Sequence, residues 1–302
     1  MPWTDSLNGD SLAWLLSSPT PGVRYPALRD LLDRPADDPD LRAARSEALQ
    51  HGPAAVILAN MQPEGFWVKP GPGYGPKYTS TVWAIQALAQ VGMTVDDDPR
   101  IATACAYLLD HALAPQGQFS HNGAPGGTFD CLQGNLSWAL TALGCADPRL
   151  DTAFEWMART VTGEGMAESS DKKNPMRYTA YKCAPLFACG ANNKYPCAWG
   201  AAKVMMAFSA LPRDRRTPLI DRAVQAGVEF FLGIDPATGA YPTSSGQPPS
   251  GDWWKFGFPV YYITDILQIV EALVALGCGA DPRLANALQL VRSKQDENGR
   301  WL

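Results

Sequence analysis

A carboxyl group and a thiol stand side by side where a helix is predicted to begin. Asp130 and Cys131 follow the glycine-rich stretch 126–129 and open an apolar helical segment. The positive end of a helix dipole favours negative charge, so we expect the pKa of the Cys131 thiol to be lowered toward thiolate. A thiolate can bind zinc, and a carboxyl group can donate or accept a proton. Asp130 and Cys131 are therefore predicted to be catalytic.

Two further thiols extend this candidate site. Cys183 and Cys197 lie in, or end, the longest predicted loop, and Cys197 begins the next inner helix. Zinc requires three or four N, S or O ligands in tetrahedral arrangement, so Asp130, Cys131, Cys183 and Cys197 form a candidate zinc site. Their spacing matches no zinc-knuckle pattern, and buried thiols without metal are the alternative. His121 lies close enough in sequence to be a further ligand or a base.

Asp265 is the third catalytic candidate. It is predicted to lie in the first turn of a later inner helix, where a structural hydrogen bond is the alternative role. The loops 177–182 and 252–259 contain Trp, Tyr, Lys and Arg and are predicted to cover a cavity. Such a cover suits an amphipathic ligand that carries phosphate or carboxylate.

A recurring turn indicates the elements that must position these residues. In 91–100, 143–149 and 276–283 an apolar segment ends at Gly and Asp-Pro-Arg follows. Gly suits the left-handed position after a helix, and Asp followed by Pro suits the start of the next one. Turns that recur in this way predict an array of helical hairpins.

The pattern predicts five inner and six outer helices joined alternately by short and long connections. A sixth inner helix would follow the last residue of the sequence, so five or six hairpin repeats are expected. All long loops then emerge at the N-terminal ends of the inner helices, where we expect the site. The inner helices are predicted at 21–32, 78–91, 130–143, 197–211 and 262–276, and the outer ones at 8–17, 40–61, 99–113, 148–160, 217–232 and 282–295.

One face of the inner helices combines polar and aromatic residues and is predicted to face a central cavity. Burying its polar groups without partners would cost several kcal/mol each, which a ligand- or water-filled cavity avoids. A structural polar network and ordinary packing of the tryptophans are the alternatives. The predicted substrate-binding residues are Trp83, Gln86, Asn135, Trp138, Trp199, Lys203, Gln268 and Glu271.

A second repeated element combines Gln, Gly and Trp after an outer helix, at 61–67 and 294–301. Together with inner helices such as 78–83, this element resembles the terpenoid cyclase and protein prenyltransferase superfamily, which includes squalene cyclase. The resemblance implies an all-α fold, a single α/α toroid domain spanning residues 1–302. It also implies an isoprenoid or similar amphipathic substrate in the central cavity.

The sequence departs from the motifs of this superfamily. Its prenyltransferases hold zinc with an Asp-x-Cys pair and a later histidine, whereas Asp130 and Cys131 are adjacent and 261–265 has no histidine. The Asp-rich motifs of both cyclase classes are also missing. A cyclase-like enzyme without these motifs is our first expectation. A zinc-dependent prenyltransferase-like enzyme that uses Cys131 and a non-catalytic ligand- or protein-binding toroid are the alternatives.

Composition argues against several other classes of protein. The net charge of −5 and the isoelectric point near 5.2 give no basic surface for nucleic acid. No segment approaches the roughly 20 apolar residues of a membrane helix. The N-terminal sequence lacks the pattern of a secretory signal, and the seven cysteines are scattered, so we expect a cytoplasmic protein.

Overall fold

The computed structural model describes residues 3–247 and 250–301 and is all-helical in this range, as predicted. It contains isolated β-bridges but no sheet in these residues. Turns of π-helix continue α2 over Ala27–Leu31 and α11 over Val274–Cys278. The helices are α1 (Ser11–Leu16), α2 (Pro21–Pro26), α3 (Pro39–His51), α4 (Pro53–Ala59), α5 (Thr81–Gln90), α6 (Pro99–Ala112), α7 (Asp130–Ala142), α8 (Arg149–Thr162), α9 (Ala198–Ala210), α10 (Pro218–Leu232), α11 (Ile266–Leu273) and α12 (Ala285–Ser293).

The recurring turns end and begin helices as predicted. Gly92, Gly144 and Gly277 have φ values of 76°, 77° and 95°, a region that side chains other than Gly adopt at a cost. The following Asp caps the next helix: Asp98 Oδ1 accepts a hydrogen bond of 2.9 Å from the backbone N–H of Arg100. These local signals explain why most helix bounds agree with the sequence pattern. The predicted outer helix 40–61 is an exception, because extended backbone at Gly52 followed by Pro53 divides it into α3 and α4.

The helices form an inner and an outer set. α5, α7, α9 and α11 pack side by side in chain order, and α6, α8, α10 and α12 each pack against the inner helix that precedes them. The closest approach is between α7 and α9, where a Cβ on Gly134 would lie only 2.1 Å from the backbone carbon of Lys203. Small residues at this crossing let two helix backbones touch.

The two ends of the described chain are in contact. The backbone N–H of Asn8 donates to Gln295 Oε1 over 2.8 Å, and its side-chain amide donates to the carbonyl of Asp296 over 3.2 Å. The Arg300 guanidinium carbon lies 5.5 Å from the centre of the Trp14 ring. A closed ring of hairpins requires such a contact, while the single α/α toroid domain over residues 1–302 stays a prediction. In the described chain no helix is long and apolar enough to span a lipid bilayer.

Candidate functional site

A segment of the chain itself, residues 255–265, is bound to three of the inner helices, and we call it the central loop. The Gln90 side chain of α5 accepts from the backbone N–H of Val260 over 2.7 Å and donates to its carbonyl over 2.8 Å. Asn135 of α7 donates to the carbonyl of Tyr261 over 2.8 Å. Two inner helices thus bind the backbone of the central loop through amide side chains.

Lys203 of α9 completes this arrangement. Its Nζ donates to the carbonyl of Ile263 over 3.2 Å and also contacts Gln268 Oε1. Burial lowers the pKa of Lys203 to about 8. The predicted substrate-binding residues Asn135, Lys203 and Gln268 are therefore in the interior, but their hydrogen bonds are made to the protein's own backbone and to each other.

The three predicted tryptophans have different surroundings. Trp83 packs against the central loop, whereas Trp138 and Trp199 line cavities on either side of it. Trp83 is fully buried, donates from Nε1 to the carbonyl of Tyr74, and meets Tyr261 and Tyr262 edge-on at 5.2 Å. The remaining predicted residues differ in environment: Gln86 is buried and bonds within its own helix, Trp138 and Trp199 are half-buried, and Glu271 is exposed. The central loop separates a cavity at the N-terminal ends of the inner helices from one at their C-terminal ends.

The first of these cavities, which we call the mouth cavity, contains most of the predicted catalytic residues. It has a volume of about 440 Å³, within the range of small-molecule sites. Its wall is formed by the starts of α7 and α9 and by the long loops before α5, α7, α9 and α11. The lining residues are Tyr74, Lys77, His121, Phe129, Asp130, Cys131, Lys182, Cys189, Ala191, Cys197, Trp199, Gly200 and Tyr262.

Asp130 is a buried carboxyl group with one free oxygen. Asp130 is the first residue of α7, and only 3% of its surface is exposed. Cys183 Sγ donates to Oδ1 over 2.7 Å, whereas Oδ2 has no hydrogen-bond partner. Burial raises the pKa of Asp130 from 3.8 to about 7, although the Cys183 bond acts in the opposite direction. Near neutral pH a large share of Asp130 is therefore protonated.

The expected thiolate at Cys131 is a wrong prediction. Burial, and then the neighbouring Asp130, raise the pKa of Cys131 to about 12, because removal from water outweighs the helix dipole. Among the thiols that line the mouth cavity, Cys189 has a lowered pKa, because it accepts a hydrogen bond from the Cys197 thiol. No local pattern in the sequence indicates this role of Cys189, since the bond joins a loop residue to the residue before α9.

The four predicted zinc ligands lie around the mouth cavity without forming a metal site. Asp130 and Cys183 bond to each other, while Cys131 and Cys197 line the wall. Among residues 3–247 and 250–301, no group of three or more His, Cys, Asp or Glu side chains is arranged to hold a metal ion. Zinc binding stays a prediction for these residues.

Two lysines and several aromatic rings define the rest of the cavity. Lys77 Nζ lies 5.9 Å and 5.8 Å from the ring centres of Tyr74 and Tyr262, and Lys182 Nζ lies 5.9 Å from that of Phe129. Of these two lysines, the sequence pattern predicts only Lys182 to lie near a cavity, in the covering loop 177–182. Tyr74 and Lys77 were missed because they precede α5 by a few irregular residues that carry no helical periodicity.

Asp265 is not part of the mouth cavity. Its Oδ1 accepts from the backbone N–H of Gln268 over 3.0 Å, and its Oδ2 accepts from that of Gly257 over 3.3 Å. It therefore caps α11 and holds the central loop, and it lines the cavity on the other side of that loop. Asp130 and Asp265 therefore line different cavities.

Comparison of the chain with known protein families and with curated proteins gave no match.

Proposed function

We propose that this protein is a terpenoid cyclase-like enzyme of the α/α-toroid type, with its active site in the mouth cavity and Asp130 as the proton donor. One observation carries the proposal: the free Oδ2 of a buried carboxyl group in an aromatic cavity. A carboxyl group that stays protonated at neutral pH can serve as a general acid.

The proposed step moves one proton and one electron pair. The π electrons of a substrate double bond take the proton from Asp130, which leaves a carbocation and the Asp130 carboxylate. A second double bond attacks the cation and closes a ring, and loss of a proton to a base ends the reaction. The Cys183 thiol stabilises the carboxylate through its bond to Oδ1. The faces of Tyr74, Phe129 and Tyr262 favour positive charge in the cavity.

The charges of the cavity favour an amphipathic anion over a pure hydrocarbon. Lys77 and Lys182 both line the wall, and Asp130 is the one carboxyl group among the lining residues. The ammonium groups suit phosphate oxygens, while the aromatic wall suits a chain of isoprene units. We therefore propose a prenyl diphosphate as the substrate class, and we expect squalene to be a poor substrate.

The neutral Cys131 thiol favours the cyclase proposal over a thiolate-dependent transferase. A zinc-dependent prenyltransferase-like reaction through Cys131 would need a metal to displace the thiol proton. Zinc can be quantified by mass spectrometry on protein purified without chelators, for wild type and Cys131→Ser. A stoichiometric zinc content that falls in Cys131→Ser would favour the transferase.

The direct test is a product screen by gas chromatography and mass spectrometry with geranyl, farnesyl and geranylgeranyl diphosphate and squalene. We expect a cyclic product from a prenyl diphosphate and a loss of about 10²- to 10⁴-fold in rate with Asp130→Asn. Asp151→Asn, at an exposed carboxylate on α8, is the matched control and should retain the rate.

Binding should be separable from reaction. Quenching of tryptophan fluorescence by a prenyl diphosphate should persist in Asp130→Asn, because the lysines and aromatic rings remain. Saturable binding without any product from wild type would contradict the enzyme and support the non-catalytic binding module.

A further inference from the structure

A second cavity lies at the opposite end of the inner helices, and we call it the rear cavity. Its volume is about 680 Å³, larger than that of the mouth cavity. It is bounded by the end of α2 and its π-helical turn, by the C-terminal halves of α5, α7 and α9, by α11, by the central loop, and by α12 and the segment after it. The central loop separates it from Asp130 and the cyclase-like reaction proposed above.

The wall of the rear cavity is largely aromatic and apolar. Trp138, Phe256, Phe258 and Trp301 line it from α7, from the central loop and from the chain beyond α12. Met206 of α9 also lines it. A ring face carries negative partial charge and attracts a cation that is weakly hydrated.

One carboxylate in this wall, that of Glu271, has no positively charged partner in the described chain. Glu271 of α11 is exposed to the cavity and forms no ion pair or hydrogen bond within the described chain. Burial by the surrounding protein raises the pKa of Glu271, and the nearby Asp265 carboxylate raises it further. This is the direction expected for a carboxylate without a cation beside it.

The other charged groups at the rear cavity are already compensated. Arg29 pairs with Asp30 over 2.6 Å and donates to the carbonyl of Gly92 over 2.7 Å. Asp265 accepts two backbone hydrogen bonds and is attracted by Lys203. Lys294 lies against the ring of Phe256, with Nζ 5.6 Å from the ring centre. Among the described residues that line the cavity, Glu271 is thus the one carboxylate that a positively charged ligand can satisfy.

We propose that the rear cavity is a binding site for a small organic cation, an amine or quaternary ammonium compound with an apolar body. Glu271 supplies the opposite charge, and the rings of Trp138 and Trp301 contact the ammonium group and its substituents. A volume of this size fits a drug-sized molecule and exceeds the need of a metal ion. In the described residues no metal-binding group occurs here either.

The proposal is tested with a charged probe and its uncharged isostere. The full-length protein is titrated calorimetrically with 3-hydroxyphenyltrimethylammonium and with 3-tert-butylphenol, which has the same shape without the charge. We expect the cation to bind at least about tenfold more tightly than the phenol, because the carboxylate and ring faces favour only the charged compound.

Three variants locate the site. Glu271→Gln should weaken binding of the cation about tenfold and leave the phenol unchanged, whereas Glu64→Gln, at an exposed loop position, should change neither. Asp130→Asn should leave both affinities unchanged, because it alters only the mouth cavity. Circular dichroism confirms the fold of each variant.

The proposal is overturned by equal affinity for cation and phenol, by the absence of saturable cation binding up to about 10 mM, or by an unchanged affinity in Glu271→Gln. A loss of cation binding in Asp130→Asn would also overturn it and would place the cation in the mouth cavity. None of these outcomes depends on cyclase activity.

Discussion

At the scale of single residues, burial decides which groups of the mouth cavity are charged. Burial raises the pKa of Asp130 to about 7 and that of Cys131 to about 12, whereas the Cys197 thiol lowers the pKa of Cys189. Helix dipoles act on Cys131 too, but their contribution of about 1 kcal/mol is smaller than the cost of burying a thiolate. Near neutral pH Asp130 is therefore partly protonated, and Cys189 ionises more readily than Cys131.

The raised pKa of Asp130 predicts a specific dependence of stability on pH. Between about pH 4 and 7 the native chain keeps the Asp130 proton, whereas the unfolded chain loses it. Because the native state then binds more protons, raising the pH destabilises it by up to about 1.4 kcal/mol per pH unit. Asp130→Asn should remove this contribution, as measured by urea unfolding of both proteins at several pH values.

The difference between the two proteins is the informative quantity, because other titrating groups cancel in it. Asn should become stabilising relative to Asp as the pH rises through this window, with little further change above about pH 7. A difference that is constant from pH 4 to 7 would contradict a raised pKa at Asp130.

Thiol reactivity provides a second prediction. Cys189 and Cys131 both line the mouth cavity, so they are a matched pair with different pKa values. At pH 7 iodoacetamide should alkylate Cys189 at least about tenfold faster than Cys131, because the thiolate is the nucleophile. Peptide mass spectrometry measures both rates in one sample. Faster alkylation of Cys131 would show that the helix dipole outweighs burial.

The sequence predicted the position of Asp130 and Cys131 at a helix start, because Gly-rich punctuation and apolar periodicity are local signals. It could not predict their pKa values. Those depend on burial and on Cys183 and Cys189, which reach α7 from a loop about 50 residues further along the chain. Contacts of this kind leave no periodic pattern.

At the scale of secondary-structure elements, the central loop is held by side chains of the inner helices. Gln90 is the clearest case, since its amide satisfies both the N–H and the carbonyl of Val260. Gln90→Leu should lower the free energy of unfolding by about 1–3 kcal/mol, because it leaves partly buried backbone groups without partners. Hydrogen exchange should rise in residues 255–265.

The control for this prediction is Gln225→Leu, at an exposed position of α10. It should change the free energy of unfolding by less than about 0.5 kcal/mol and leave exchange in the central loop unchanged. Equal exchange in both variants would mean that Gln90 does not hold the loop.

The crossing of α7 and α9 supports a separate prediction. A Cβ on Gly134 would lie 2.1 Å from the backbone of Lys203, so Gly134→Ala must push the two helices apart. We expect a loss of about 3 kcal/mol or more in the free energy of unfolding, at the upper end of overpacking effects. Gly251→Ala, where a Cβ meets no atom within 4 Å, is the control and should be nearly neutral.

The helices could be predicted from the sequence, whereas the central loop could not. Helix ends depend on residues a few positions apart, such as Gly92 and Asp98, and the structure confirms them. The bond between Gln90 and Val260 joins residues 170 positions apart, and nothing in either segment indicates the other. The predicted lumen is divided for this reason: Asn135 and Lys203 bind the central loop, whereas Trp138 and Glu271 line the rear cavity.

At the scale of the whole molecule, two cavities with different charge lie at opposite ends of the inner helices. The mouth cavity has two lysines and a protonated carboxyl group, and the rear cavity has an unpaired carboxylate. The segments that contain Asn8 and Gln295 contact each other, so the first and last described helices lie close together. We therefore expect ligands of opposite charge at the two ends.

The central claim is that Asp130 protonates an isoprenoid double bond, and isotope incorporation tests it most directly. Geranylgeranyl diphosphate is incubated with the protein in D₂O, where the Asp130 carboxyl exchanges its proton for deuterium, and the products are examined by mass spectrometry. We predict a cyclic product that carries one deuterium from the initiating step and is absent with Asp130→Asn. A cyclic product without deuterium, or one formed equally by Asp130→Asn, would contradict the claim.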